Sequence, residues 1–324
     1  MDIEPQYEYY DSRKDAAERQ ARRDSLKRQR KAFRRGTLTK LFRNPLGIIG
    51  LVVILIITLM ALSHPILMGT VWNPRIYDPI HGFDPDMLHH PSFPSRTHLL
   101  GTDALGRDVL SQLLFAARTS LGVGLLAGFS AIMIAMVIGV VAAYYGGWMD
   151  DLLMAIADIF LLMPPSIITL IAGLVLKLNW WKMGLLFGVL AGLGSLAITF
   201  KQQALTIRVK PFVEASQVAG AGGRHIIIKH MIPGLVSVMM VSMMFVVSQA
   251  MMIEALVSFY QGTESRLSWG TMIWFIQSTF RLSPYGEQWH AILPPALTIT
   301  LLCAAFYMLG RALDEILNPR LRGR

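Results

Sequence analysis

Long apolar runs separated by short polar punctuation dominate the chain. A bilayer core is crossed by about 20 apolar residues in a helix. Six runs approach or exceed that length: residues 46–62, 119–149, 152–176, 183–200, 235–259 and 291–310. The first is bounded by Pro45 and by Ser63-His64-Pro65. The second carries no charge and ends near Tyr145-Gly146-Gly147. The third holds Asp158 and is interrupted by Pro164-Pro165, which break the hydrogen-bond ladder and kink the helix. The fifth carries Glu254. The pattern shows no internal repeat and no inverted pair of broken helices of the kind found in secondary transporters. It predicts an all-α integral membrane protein with six transmembrane helices.

The segments between the runs set the organisation. A basic tail covers residues 1–43, the first transmembrane helix 44–64, and an external loop with an amphipathic helix 65–118. A five-helix core, 119–313, contains a polar loop at 201–234, and a short tail follows at 314–324. A smaller external loop, 260–290, holds Trp269, Trp274 and Trp289, aromatics suited to a membrane interface. The N-terminal tail is acidic and tyrosine-rich at first, then basic and helix-prone over 12–35. It is too long and polar for the n-region of a signal peptide, and no A-x-A site follows the first apolar run. Contact with anionic headgroups is its expected use.

Composition sharpens this picture. Of 324 residues, 53% are hydrophobic and 16% charged, against about 25% charged in an average soluble domain. Such hydrophobicity excludes disorder. A single cysteine, Cys303, excludes an intrachain disulfide framework. The net charge of +9 is unevenly placed, since 13 of the 30 Lys and Arg lie in residues 1–43. With six spans, the tail, the 201–234 loop and the C-terminus share one side and hold 22 of the 30. The positive-inside rule then puts both termini in the cytosol of a cell-membrane protein. The basic excess is a topology signal and does not call for nucleic acid, because no aromatic-basic interleaving or known module accompanies it.

The 201–234 loop is the most informative stretch. Pro211 opens a helix at its first turn, where Glu214 meets the favourable end of the dipole. Ala215, Ser216 and Ala219 form a small-residue face open to close approach. Gly220, Gly222 and Gly223 stop the helix. A second short helix, 224–232, mixes isoleucines with basic residues and ends at Pro233. The predicted unit is a helix-turn-helix element at the membrane surface, which either rests on the headgroups or offers a docking face to a cytosolic partner.

A second pattern precedes the second run: His98-Leu-Leu-Gly101-Thr102-Asp103-Ala-Leu-Gly106-Arg107-Asp108. Thr102 or Asp103 can cap a turn. Val109, Leu110, Leu113, Leu114 and Ala117 then fall on one helical stripe, with Arg107, Asp108 and Gln112 off it. An amphipathic helix feeding into the second span is expected. The two aspartates do not fit the calcium-loop spacing.

Glu214-Ala215-Ser216, Gly220 and Pro233 resemble, in register, the E-A-A…G…I-x-L-P loop of ABC importer permeases. Ser216 stands for the second Ala, His230 for the first Ile and Ile232 for Leu; H-x-L-P is common in the peptide-transport branch. The 98–121 stretch resembles the signature of the C-type permease of oligopeptide, dipeptide and nickel importers, and 313–322 resembles that family's D-P-R-L-R ending, with Asn318 for Asp. The resemblance spans about residue 99 to the C-terminus. It departs at Tyr260-Gln261-Gly262-Thr263, where L-G-L-G is usual, and before Ser268-Trp269-Gly270, where a Pro is missing. It implies the type I ABC importer permease fold, with the 201–234 loop as coupling helix. It also implies a second, B-type permease, two ABC ATPase subunits that use ATP and Mg, and an extracytoplasmic substrate-binding protein. Peptides are the implied substrate; nickel chelates and oligosaccharides are alternatives within the same architecture.

Ionisable residues inside spans are functional candidates. Glu254 and Asp158 are candidate pore or gate residues; each also suits a structural hydrogen bond, to backbone freed by a kink or to a neighbouring helix, and Glu254 could line the outer gate. No H-E-x-x-H, G-x-S-x-G or P-loop is present. The chain is therefore read as a non-catalytic subunit with no cofactor or metal of its own. Two rivals are an ATP-independent secondary transporter, which works without ATPase subunits, and a membrane scaffold acting through its basic tail.

Overall fold

The computed structural model describes residues 41–87, 89–176, 178–261, 267–280 and 288–317. The basic tail up to residue 40, Gly262-Thr263, and the Asn318-Pro319-Arg320-Leu321-Arg322 ending lie outside those residues. So do Lys177, Arg266, Arg281 and Arg324, counted above for topology.

Asn44 starts the first helix by accepting the N–H groups of Leu46 and Gly47, with Pro45 in the first turn. This helix, α1 (Pro45–Thr70), does not stop at Ser63-His64-Pro65 but carries Pro65 inside it. Pro65 has no N–H for the Ala61 carbonyl. Arg118 Nε donates to that carbonyl instead, at 2.9 Å. The boundary expected at 64/65 is thus internal to a helix. After a single turn, α2 (Pro74–Tyr77), the chain runs irregularly to Asp108. α3 (Val109–Tyr145) then merges the expected amphipathic helix and the second span into one piece, so 118/119 is internal as well.

The third span is broken at its prolines into α4 (Gly147–Leu162) and α5 (Pro165–Leu176), bent by 69°. The fourth is also broken, at Gly194, into α6 (Trp180–Leu193) and α7 (Ser195–Arg208), bent by 48°. This corrects the sequence reading twice. Two broken spans exist side by side, and residues 201–208 are helical, not loop. The breaks touch: a Cβ on Gly194 would sit 3.2 Å from the Phe160 carbonyl. The break at Gly194 therefore packs on the last turn of α4.

α8 (Pro211–Val218) and α9 (Gly223–Ile226) lead through a π turn, Ile227–Met231, into α10 (Ile232–Gln261). Pro233 does not end the second short helix as expected. Ile232 N–H bonds back to Ile227, and this wider turn carries the chain past a residue with no donor. α11 (Trp269–Phe280) occupies part of what was read as an external loop, and α12 (Trp289–Leu317) closes the described chain. α1, α3, the run Gly223–Gln261 and α12 are each long and apolar enough to cross a membrane, and each bent pair adds one span.

Close packing around α3 comes from glycines. Gly184, Gly188 and Gly192 line one face of α6. A Cβ at each would meet the backbone oxygens of Val123, Ala127 and Ala131 on α3, at 2.9, 2.6 and 2.7 Å. This is a small-residue seam of the kind that lets membrane helices approach backbone to backbone. Gly50 does the same for α1 against Ala305 of α12. Outward, α1 and α4 leave long apolar faces exposed, among them Leu55, Leu59, Leu62 and Leu161.

Candidate functional site: a surface helix-turn-helix, a polar bracket and two carboxylates

At one end of the bundle the 210–233 segment forms a built element. Lys210 is the N-cap of α8, Pro211 its first residue, and Glu214 lies in the first turn. Gly220 takes φ +79°, the left-handed geometry that ends a helix. Val213 is the one fully buried residue of α8. It joins Ile226, Met231 and Leu235 in a cluster with Val140, Phe200 and Ile207. Gly223 rests on Tyr144, near the end of α3, where a Cβ would come within 2.7 Å of the ring. Arg208 Nη1 donates to the Ala143 carbonyl at 2.8 Å, and Lys201 pairs with Asp150 at 2.6 Å. The far face is left open. Glu214, Ala215 and Gly220 are exposed there, with Phe212 47% and Val218 85% exposed. Ser216 is half-buried and bonded to His230, and Pro233 sits past the π turn at the start of α10.

At the other end the 78–108 segment forms a polar bracket around the start of α3. Gly101 and Gly106 take φ +76° and +82°. Asp103 is its hub. Its carboxylate accepts the N–H groups of Leu105 and Arg107, the Arg107 Nε at 2.7 Å and the Gln112 amide at 2.7 Å. Thr102 Oγ1 accepts from Ser92 N–H and lies 2.9 Å from His90 Nδ1. Asp108 caps α3 through Ser111 N–H, and its other oxygen meets His98 Nδ1 at 2.8 Å. His98 Nε2 meets Asp84 at 3.1 Å. A polar, water-facing side was expected here. Instead Arg107, Asp108, Ser111 and Gln112 are all buried, each held by a bond. Burial pushes the Asp108 carboxyl above its ordinary value, against its bonds to Ser111 and His98. Burial also pushes Asp84 up, but the Asp86 N–H and His98 outweigh it and leave that carboxyl below its ordinary value.

The membrane carboxylates lie apart. Glu254 is 1% exposed on α10, accepting from Ser120 of α3 at 3.0 Å and from Ser258 at 2.7 Å. Beside it Gly270 of α11 packs on the Ala255 backbone, and Trp269, buried, donates to the Leu113 carbonyl at 3.1 Å. Trp269 was read as an interfacial aromatic; it is core, whereas Trp289 is 52% exposed. Asp158 stands exposed on α4. The sequence does contain the G-x-x-x-G-x-x-x-G seam of α6 and the Ser216–His230 pair. The first is legible as a four-residue glycine spacing, and the second only once the two departures from the loop pattern are set side by side.

Among the described residues the architecture is all-α, with four to six apolar spans and a half-exposed helix-turn-helix at one end. Residues 135–323 match the family model of the binding-protein-dependent transport system inner membrane component, and the chain belongs to that family. Residues 32–89 match the N-terminal TM domain of oligopeptide transport permease C, so the family likeness reaches back into the tail. The dipeptide transport system permease protein of Bacillus subtilis is 30% identical over 304 residues, covering 92% of this chain and 89% of its own. The glutathione transport system permease protein of Pectobacterium atrosepticum is 29% identical over 248 residues, covering 76% and 80%. The oligopeptide transport system permease protein of Bacillus subtilis is 28% identical over 281 residues, covering 86% and 87%. The chain is a multi-pass inner-membrane permease of the ABC importer type.

Proposed function

We propose that the chain forms half of the translocation pore for di- and oligopeptides and works by alternating access. The other half is a related B-type permease. Two ABC ATPase subunits, which bind and hydrolyse ATP with Mg, dock on the face carrying Glu214, Ala215 and Gly220. A substrate-binding protein delivers peptide at the bracket end. Both termini and the coupling element lie in the cytosol, in keeping with the Lys and Arg distribution.

The observation that carries this reading is the one-sided burial of α8. Val213 anchors the helix to the bundle while Phe212, Glu214, Ala215 and Val218 face away from it. Exposed apolar residues rimmed by polar ones mark a docking surface. Closure of the ATPases would move α8, and with it the cluster of α3, α7 and α10 side chains beneath.

The test is Glu214→Arg combined with Gly220→Asp in the assembled transporter. Peptide uptake and peptide-stimulated ATP hydrolysis are expected to be lost while the permease stays in the membrane at normal levels. Wild-type values for both would rule the docking face out. Uptake by the chain without any ATPase would favour a secondary transporter.

A further inference from the structure

Asp158 is a carboxylate on the exposed side of a broken membrane span. Ala157 is the one fully buried residue of α4; Ile156 and Phe160 are half-buried, while Asp158, Ile159, Leu161 and Leu162 are exposed on a side turned away from the subunit's own core. From Asp150, which pairs with Lys201 at the coupling end, α4 rises about 12 Å to Asp158. That depth is close to the middle of a bilayer core about 30 Å thick. The helix ends one turn later. Leu161 has lost both of its possible helical donors, because Pro164 and Pro165 have no N–H. The C-terminal end of a helix carries partial negative charge. Asp158 and this carbonyl end together make an electronegative patch. Leu162, 83% exposed, and Met163, 40% exposed, leave the patch uncovered by the chain.

Neither feature survives contact with lipid. Irregular backbone at membrane depth occurs only where protein covers it or where it lines a water-filled cavity, and an intramembrane carboxylate faces the same alternatives. Glu254, the other carboxylate well inside a described span, is buried under Ser120 and Ser258 and is not presented to a solute. Broken helices whose carbonyl ends face the midplane are a recurrent way to bind cations in transporters.

We infer that Asp158 and the carbonyl end of α4 line the solute path and form a midplane station for a positively charged group, the ammonium of a peptide. This rests on the permease reading above and adds a residue that sets charge preference. A substrate ammonium passing the break gains the carboxylate and the carbonyls, and leaves again because the station is open on one side.

The experiment uses the complete transporter in proteoliposomes, with Cys303→Ser removing this chain's one native thiol and with a complex lacking Leu162→Cys subtracted as background for the partner subunits. Leu162→Cys then places a thiol one turn from Asp158. With each rate divided by that reagent's rate with a small free thiol in solution, its reaction with a trimethylammonium methanethiosulfonate is expected to outpace that with the sulfonate analogue by about tenfold, as a nearby carboxylate in a confined aqueous path requires. Asp158→Asn should bring the two rates near parity, and Asp158→Glu should restore the difference. An unreactive thiol, or a ratio that Asp158→Asn does not change, overturns the proposal. In uptake, Asp158→Asn should slow both Ala-Glu-Ala and Ala-Lys-Ala, the latter more because it carries a second ammonium; unslowed uptake of both counts against it. A wild-type complex that carries neither peptide removes the peptide reading, and the thiol ratio still decides the station.

Discussion

Ser216 Oγ lies 3.1 Å from His230 Nε2, tying α8 to the π turn that follows α9. These are two of the positions at which the loop departs from the E-A-A and I-x-L-P pattern, and the departures are partners. Ser216 Oγ also donates to the Phe212 carbonyl at 3.0 Å, and His230 is half-buried beside it. Ser216→Ala and His230→Ile are each expected to weaken ATPase coupling, and the double variant to recover part of the loss. A double-mutant cycle should give a coupling energy of about 0.5–1.5 kcal/mol. Strictly additive effects would show that the pair does not cooperate.

Arg118 compensates for Pro65. Arg118→Met leaves the Ala61 carbonyl with no donor and should destabilise the purified permease by about 1–3 kcal/mol. Pro65→Ala in that background returns the helical N–H and should recover much of the loss. Thermal unfolding in detergent measures both. No recovery would mean that Arg118 acts through its charge alone.

The glycine seam tolerates no side chain. Gly188→Ala puts a methyl against Ser130 Oγ and 2.6 Å from the Ala127 carbonyl. It should cost about 1–3 kcal/mol, the usual range for overpacking. Gly69→Ala is the control, since a Cβ there meets nothing within 4 Å; it should be neutral or slightly stabilising. Equal thermal shifts for the two would contradict the seam.

The bracket carries a pH signature. Asp84 is held below its ordinary value, so its ionised form stabilises the fold above the unfolded carboxylate range, and that contribution is lost as pH falls through the folded value. Asp108 is held above its ordinary value, and its contribution has the opposite sign, lost as pH rises through the folded value. The loss of protection of residues 78–108 from limited proteolysis on acidification should therefore be smaller in Asp84→Asn than in the wild type. Asp108→Asn should not flatten the acid limb. An unchanged profile in Asp84→Asn would remove Asp84 from the account.

Much of this was open to sequence reading because it depends on local chemistry. Apolar run length marks the spans, the Pro164-Pro165 pair marks a break, and Pro211, Glu214 and Gly220 mark the start and stop of α8. The parts that escaped depend on residues far apart in the chain. α1 passes through Pro65 because an arginine from α3 supplies the missing donor. The bend at Gly194 makes sense only beside the Phe160 backbone, and Pro233 is absorbed by a π turn that has no residue signature. The polar side of residues 107–112 reads as solvent-facing until Asp84, His98 and Asp103 fold over it. Trp269 reads as an interfacial ring until Leu113 offers its carbonyl.

α3 has no proline between Val109 and Tyr145. At 1.5 Å per residue it is a strut about 55 Å long, nearly twice the thickness of the hydrocarbon it crosses. Its foot is gripped through Tyr144 and Ala143, and its head is clasped by Asp108 and Gln112. A stiff member held at both ends transmits rotation instead of absorbing it. A tilt of about 5° imposed at the foot carries the head by about 5 Å over that length, so a small push on one side of the membrane arrives on the other as a displacement the size of a side chain.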